Sequence, residues 1–303
     1  MEVRIVSFSQ WTTQVLLDLD LDNWIAGCSH DSLIPPDAGS IVPVVTQPFD
    51  PGAKPKEKFT LTEMLLSKWD VDMEKLRELQ PTHLLTEGML HLSGLTLEEA
   101  EEILARDGLK ECRLIDLYPL SLKDIFEGIG WISQIFGTEK KGMFLVKTYE
   151  QKLKNTSKKY GIRRKSPVIG VLRKWPFLQL AGRWMSDLIG MAGARPLWQG
   201  DDLFIYFGTY LEDQPDIFIL GDPFLSLKEN KKKVSLLDQK KLFFVLACER
   251  KPAVLVVDGP VFYDHSLTGL DTALKILGEI IRNDPDLSER KGIYWEEAKV
   301  YNA

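Results

Sequence analysis

Only three of the 303 residues are cysteine. Cys28, Cys112 and Cys248 are odd in number and widely spaced, so neither a disulfide framework nor a paired-cysteine metal or redox motif can be drawn. Reduced thiols are expected. The four histidines, His30, His83, His91 and His265, never form an HxH or HxxxH pair, so a zinc centre would need ligands from distant segments. There is no GxxxxGK[ST] phosphate loop and no GxSxG nucleophile elbow, and Gly128-Ile129-Gly130 falls inside a helical pattern. No catalytic residues are assigned, and a non-enzyme is expected. The chain lacks a basic excess: 38 Lys and Arg against 44 Asp and Glu leave a net charge of −6, which argues against a nucleic-acid partner. No apolar run approaches the ~18 residues of a membrane span. The start runs directly into a strand-like segment without the basic and apolar regions of a secretory signal. A complete chain is therefore expected in the cytoplasm, and one trimmed of a signal peptide in the periplasm or at the cell surface.

What is present is an ordinary globular composition, 44% hydrophobic and 27% charged, in a chain long enough for two cores. Short apolar runs alternate with helical patterns, which predicts an α/β protein with parallel sheets. Strands are expected at residues 3–8, 24–28, 83–86, 111–117, 168–172, 216–220 and 253–257. Helices are expected near 11–19, from a cap at Asp72, from the capping box Thr96-Leu97-Glu98-Glu99, and over 121–136, 180–191 and 268–282. Residues 35–58, rich in Pro, Gly and Asp, read as a loop. Gly137-Thr138-Glu139 reads as a stop and a fresh cap, opening a long helix to about Lys158 with Met143, Val146, Tyr149 and Leu153 as its apolar stripe. The segments 76–86 and 210–220 echo one another as a helix end, a proline and a buried strand, which predicts two similar lobes. The expected division is an N-terminal lobe over 1–136, a connecting helix over 137–160 and a C-terminal lobe over 161–303. The segment 228–241 carries six lysines and reads as a solvated loop or helix face.

Ligands of open parallel sheets sit beyond the carboxyl ends of the strands. There the chain places Trp11, His30, Glu87, His91, Trp175, Phe177, Asp222, Phe262, Tyr263 and His265, aromatic and polar groups suited to a large flat ligand. Trp11 and Phe262 equally suit core packing. A second reading is an enzyme on the same scaffold with Asp31, Glu87, His91 and Asp222 as acid–base groups; a third is a scaffold that has lost its ligand.

Several stretches taken together resemble the solute-binding proteins of iron-siderophore, haem and cobalamin importers, above all their cobalamin-binding branch. Residues 4–19, from Arg4-Ile5-Val6-Ser7 through Trp11 to Leu19, are similar to that branch's RIVSLLPSATEIVYAL opening. Gly27-Cys28-Ser29-His30-Asp31 resembles its GVSHE, Ala181-Gly182-Arg183-Trp184 its AAGHW, and Val257-Asp258-Gly259 with Phe262 its VDGNAYF. The resemblance implies two Rossmann-like lobes joined by one long helix, with a metal-chelate ligand such as cobalamin, haem or a siderophore in a cleft between them. No obligatory cofactor is implied. Ligand contacts carried over by position are Trp11, His30, Glu87, Phe177, Phe262 and Tyr263. Asp31, His91, Trp175 and His265 are further ligand-binding candidates from the residues themselves, and if a metal centre is present His30 or His91 is the preferred axial donor. Partners implied are the chelate and an ABC-type permease, docked through Glu98 or Glu99 in the first lobe and Glu212 in the second. A monomer is expected.

Overall fold

Strands whose residues are apolar in unbroken runs must be covered on both faces, and this chain covers them with helices. A computed structural model of the chain describes residues 2–30, 32, 42–47, 70–160, 166–174, 179–198, 214–236, 248, 251–282 and 288–298. It divides into two units, Met1–Pro119 with Phe126–Leu145, and Leu120–Ile125 with Val146–Ala303. The division falls inside the two central helices.

In the first unit, β1 (Ile5–Ser7) lies between β2 (Ile25–Cys28) and β5 (His83–Glu87), and β6 (Arg113–Leu117) flanks β5, all parallel. A short antiparallel pair, β3 (Thr46–Gln47) and β4 (Asp70–Val71), stands apart, the first of them within the expected loop. The helices are α1 (Gln10–Asp18), α2 (Met73–Glu78), α3 (Met89–Ser93) and α4 (Leu97–Arg106). Val6, Phe8, Leu76, Leu84, Leu104 and Leu114 form one core under the sheet. The capping box on α4 is made as the sequence predicts, with Glu99 accepting from the Thr96 amide at 2.8 Å and Thr96 Oγ1 accepting from the Glu99 amide at 3.3 Å.

Two helices follow, α5 (Leu122–Ile135) and α6 (Glu139–Tyr160), separated by Gly137 at φ 70°. In the second unit, β7 (Val168–Lys174) lies between β9 (Arg195–Pro196) and β10 (Ile217–Leu220), and β11 (Ala253–Val257) flanks β10, again parallel. The orders β2-β1-β5-β6 and β9-β7-β10-β11 are the same, and the echoed segments supply equivalent strands, β5 and β10. The helical half of the second echo lies outside the described residues. Two antiparallel additions were not expected: β8 (Gln179–Leu180) beside β7, and β12 (Trp295–Glu297) along β11. Because β8 takes up residue 180, the following helix, α7, begins later than expected and spans Arg183–Met191. The lysine-rich segment forms α8 (Leu227–Ser235) in its first part, with Leu227, Asn230 and Val234 turned inward. A single turn, α9 (Gly259–Phe262), and the long α10 (Leu267–Arg282) complete the unit. Leu172, Phe218, Leu220, Val254 and Val256 form its core.

Helix α10 is buried along most of its length yet carries Asp271 and Glu279, both buried. Asp271 accepts from Thr156 Oγ1 at 2.6 Å and pairs with Lys275 at 2.7 Å and Lys152 at 3.3 Å. Burial acts to raise its carboxyl, but the Lys275 and Thr156 hydrogen bonds and the two ammonium charges outweigh it and hold the group below its ordinary value of 3.8. A carboxyl depressed in the fold contributes stability that is complete above the unfolded value and is lost as pH falls through the folded one. The wild-type thermal midpoint is therefore expected to drop between about pH 5 and about pH 3. Asp271→Asn should lie lower at neutral pH and show a shallower acid decline, read by calorimetry across that range.

Candidate ligand-binding site

The carboxyl edge of the first sheet gathers hydroxyl groups around the start of α1. Ser9, the N-cap, accepts from the Thr12 amide at 3.2 Å and donates through its own hydroxyl to Glu87 Oε2 at 2.8 Å, linking the ends of β1 and β5. Thr13 Oγ1 lies 2.8 Å from Ser7 Oγ and 2.9 Å from Ser32 Oγ, which lies 2.9 Å from Ser29 Oγ just beyond β2. This lattice fixes the backbone that carries His30.

His30 is exposed and held twice by Thr46, whose Oγ1 accepts the His30 amide at 2.9 Å and lies 2.8 Å from ring Nδ1. Engaging Nδ1 sets the ring orientation and leaves Nε2 as the ring's other possible donor atom, the arrangement in which metal-binding imidazoles are commonly held. Beyond β5, the amides of Met89 and Leu90 donate to Asp116 Oδ1 and Oδ2 at 2.9 Å each, and Thr86 Oγ1 donates to Oδ1 at 2.6 Å. One carboxylate on β6 thus organises α3. That turn presents exposed His91, stacked on Tyr118 with ring centroids 4.4 Å apart and planes 18° from parallel.

Gly88 makes this stack possible. Its φ is 71°, and a Cβ there would lie 2.6 Å from the Tyr118 ring. Gly88→Ala is expected to cost about 2 kcal/mol through a left-handed backbone and a ring that must move. A shift of the denaturant midpoint at unchanged m-value measures it.

At the carboxyl edge of the second sheet, Asn230 ties the loops after β10 and β11 by donating to the carbonyls of Leu225 at 2.8 Å and Val257 at 3.1 Å. Asp222 pairs with Lys233 at 2.9 Å and accepts the Phe224 amide at 3.2 Å, while the Phe224 ring stands 65% exposed. Arg173, near the end of β7, lies over the Tyr263 ring with its guanidinium 5.5 Å from the centroid, and its buried Nε has no hydrogen-bond partner among the described residues.

Several expected site residues are placed otherwise. Trp11 is 1% exposed, its ring filling the space over Gly128, where a Cβ would lie 2.8 Å from it. Phe262 is fully buried in an edge-to-face pair with Tyr263. Tyr263 is buried too, its hydroxyl donating to the Leu172 carbonyl at 3.2 Å, and burial pushes its phenol up. These three rings are internal packing groups rather than exposed ligand walls, because each meets a partner from its own unit. His265 is half-buried, with its ring 5.7 Å from that of Trp184. Glu98 and Glu99 are exposed in the first turn of α4, and Glu99 is engaged in its cap. Asp31, Trp175, Phe177 and Glu212 lie outside the described residues.

Sequence reasoning missed Arg173, Phe224, Asp116 and the serine lattice. A cation closing the apolar run of β7 was a usable signal for Arg173; short hydroxyl side chains look like ordinary caps. Among the described residues no three His, Cys, Asp or Glu side chains gather to cage a bare ion. A metal presented within a chelate, needing one further donor, is the chemistry this edge suits. The free cysteines are poor candidates: burial, with Glu101 nearby, pushes the Cys112 thiol up to about 12, and burial also raises Cys248.

No protein-family model and no curated protein sequence matches the chain. Solved structures do match its fold. An ABC transporter substrate-binding protein from Listeria monocytogenes EGD-e aligns with TM-score 0.67 at 19% identity, over 94% of this chain and 100% of that one. S. aureus IsdE, solved in complex with haem, aligns with TM-score 0.64 at 19% identity, over 93% and 99%. The periplasmic haem-binding protein HutB of Vibrio cholerae aligns with TM-score 0.62 at 18% identity, over 92% and 99%. The chain therefore has the fold of the ABC-type solute-binding proteins.

Proposed function

We propose that the chain is a solute-binding protein for a metal chelate of the haem or iron-siderophore class, working with an ABC-type permease. The observation that carries this reading is His30, exposed just beyond β2 with Nδ1 engaged by Thr46 and Nε2 outside that contact, on a fold whose solved examples include haem-bound ones. His30 is the axial donor in this reading, and His91, stacked on Tyr118, is the second candidate. At the edge of the second sheet, Arg173 supplies a cation for a carboxylate-bearing chelate and Phe224 a flat apolar contact. The permease contact falls to Glu98 on α4 and to Glu212. The acid–base enzyme reading gains no support from Asp222, which is engaged by Lys233 and the Phe224 amide.

A thermal-shift panel of ferric haem, cobalamin, a ferric catecholate siderophore and the same siderophore without iron tests the proposal. A ligand at 100 times its Kd stabilises by about 2.7 kcal/mol, a shift of several degrees. The expected result is a shift with at least one metallated chelate and a smaller one with the iron-free siderophore. No shift with any metallated member at saturation overturns it.

A further inference from the structure

Helix α6 is unusual in this acidic chain. It carries seven lysines against two glutamates, a net +5 within a protein of net −6. Six of these lysines fall into two sets. Lys141 pairs with Asp20 and Lys152 with Asp271 along the flanks of the packed side, which is formed by Gly142, Leu153, Thr156 and Tyr160. Lys140, Lys147, Lys154 and Lys158 are exposed, and helical spacing aligns them on the opposite side. Within that basic stripe stand Met143 and Phe144, 66% and 68% exposed, with Lys140 one turn before Phe144 and Lys147 one turn after Met143. The sequence pattern had placed Met143 on the buried stripe; its exposure is what makes this face amphipathic.

We infer that the outward face of α6 docks on a bilayer surface carrying anionic headgroups, with Phe144 and Met143 entering the interface and Lys140, Lys147, Lys154 and Lys158 meeting the lipid phosphates. The helix is about 33 Å long and helical spacing sets these charges in a line along it. No described helix is long and apolar enough to span a membrane, so the contact is superficial. Two apolar tips fall far short of the ~1,200 Å² that a stable protein partner requires. They match interfacial insertion, where a small apolar wedge and several lysines act together and the lysine stems cover neighbouring apolar atoms.

Co-sedimentation of the full chain with large vesicles tests this directly, using pure phosphatidylcholine and a 3:1 mixture with phosphatidylglycerol. Binding is expected to the anionic vesicles only, with release at about 0.5 M salt. The double variant Lys140→Ala/Lys147→Ala should weaken partitioning roughly tenfold or more, and Phe144→Ser by roughly fivefold or more. All three positions are exposed, so folding, checked by circular dichroism and thermal midpoint, should be unchanged. Trp131→Ser is the control. Trp131 on α5 is 65% exposed but lies about 160° around that helix from Ser133, which packs against Gly142 of α6. It should leave binding unaltered. The inference is overturned by no preference for anionic vesicles, by binding that survives the α6 variants, or by a solution dimer that Phe144→Ser disperses, which would make a second copy the occupant.

Discussion

Glu279→Ala is expected to remove about 3 kcal/mol from the second unit, because it leaves a half-buried cation and a buried indole donor without their acceptor. The Glu279 side chain is 1% exposed; its Oε1 receives Arg290 Nη1 at 2.6 Å, and its Oε2 receives the Arg290 amide at 3.1 Å and Trp295 Nε1 at 3.0 Å. Three bonds from one carboxylate fasten residues 288–298 to α10, and with them the edge strand β12. The consequence reaches the ligand edge, since the Asp258 amide donates to the Tyr294 carbonyl at 2.8 Å and the Asp258 carboxylate caps α9 and α8, accepting from Val261 and Leu227. Arg290 keeps 22% exposure, so water recovers part of its solvation and the lower end of the buried-pair range applies. The thermal midpoint should fall by roughly 6 to 12 °C. Glu279→Gln retains an acceptor for Trp295 but loses the charge, and should fall between wild type and alanine.

The second large effect is at His30. His30→Ala should weaken chelate binding by roughly 10- to 100-fold, the range for losing a ligand or its orienting partner at a metal centre. It should also abolish the imidazole signature in the absorbance and electron paramagnetic resonance of a bound ferric chelate. Because His30 is exposed and removes no core contact, the unliganded thermal midpoint should move by less than about 0.5 kcal/mol equivalent. Thr46→Val keeps the imidazole but removes the hydroxyl that holds its Nδ1, and should give a smaller loss with the signature altered. An unchanged spectrum in His30→Ala, with loss in His91→Ala, would move the axial donor to α3.

Much of the fold was legible because its signals are local. Apolar strands such as Ala253–Val257, the Thr96/Glu99 box and the break at Gly137 require no distant partner to be recognised. The echo of helix end, proline and strand gave two similar lobes for the same reason, though not the strand order they share. What escaped depends on long-range partners. Helix α3 has five residues between two left-handed glycines, and its cap is Asp116, 27 residues after Met89. Strand β12 exists because Glu279 holds Trp295. Helix α8 did carry a usable signal, Ser226 with Glu229, beneath its lysines. The aromatic residues divided in the same way. Spacing alone does not distinguish Trp11, which Gly128 receives, or Tyr263, which bonds to Leu172, from Phe224, which stands 65% exposed.

Four histidines make one measurement especially direct. His30 and His91 lie at or just beyond the carboxyl ends of the first sheet's strands, while His83 opens β5 at the other end, beside Phe136 at 5.1 Å. Titrating selectively histidine-labelled protein with a ferric chelate and following the imidazole resonances should broaden His30 and His91 at stoichiometric ligand while His83 persists. Loss of His83 with retention of His30, or four signals that remain sharp at saturation, would contradict a chelate site at that edge.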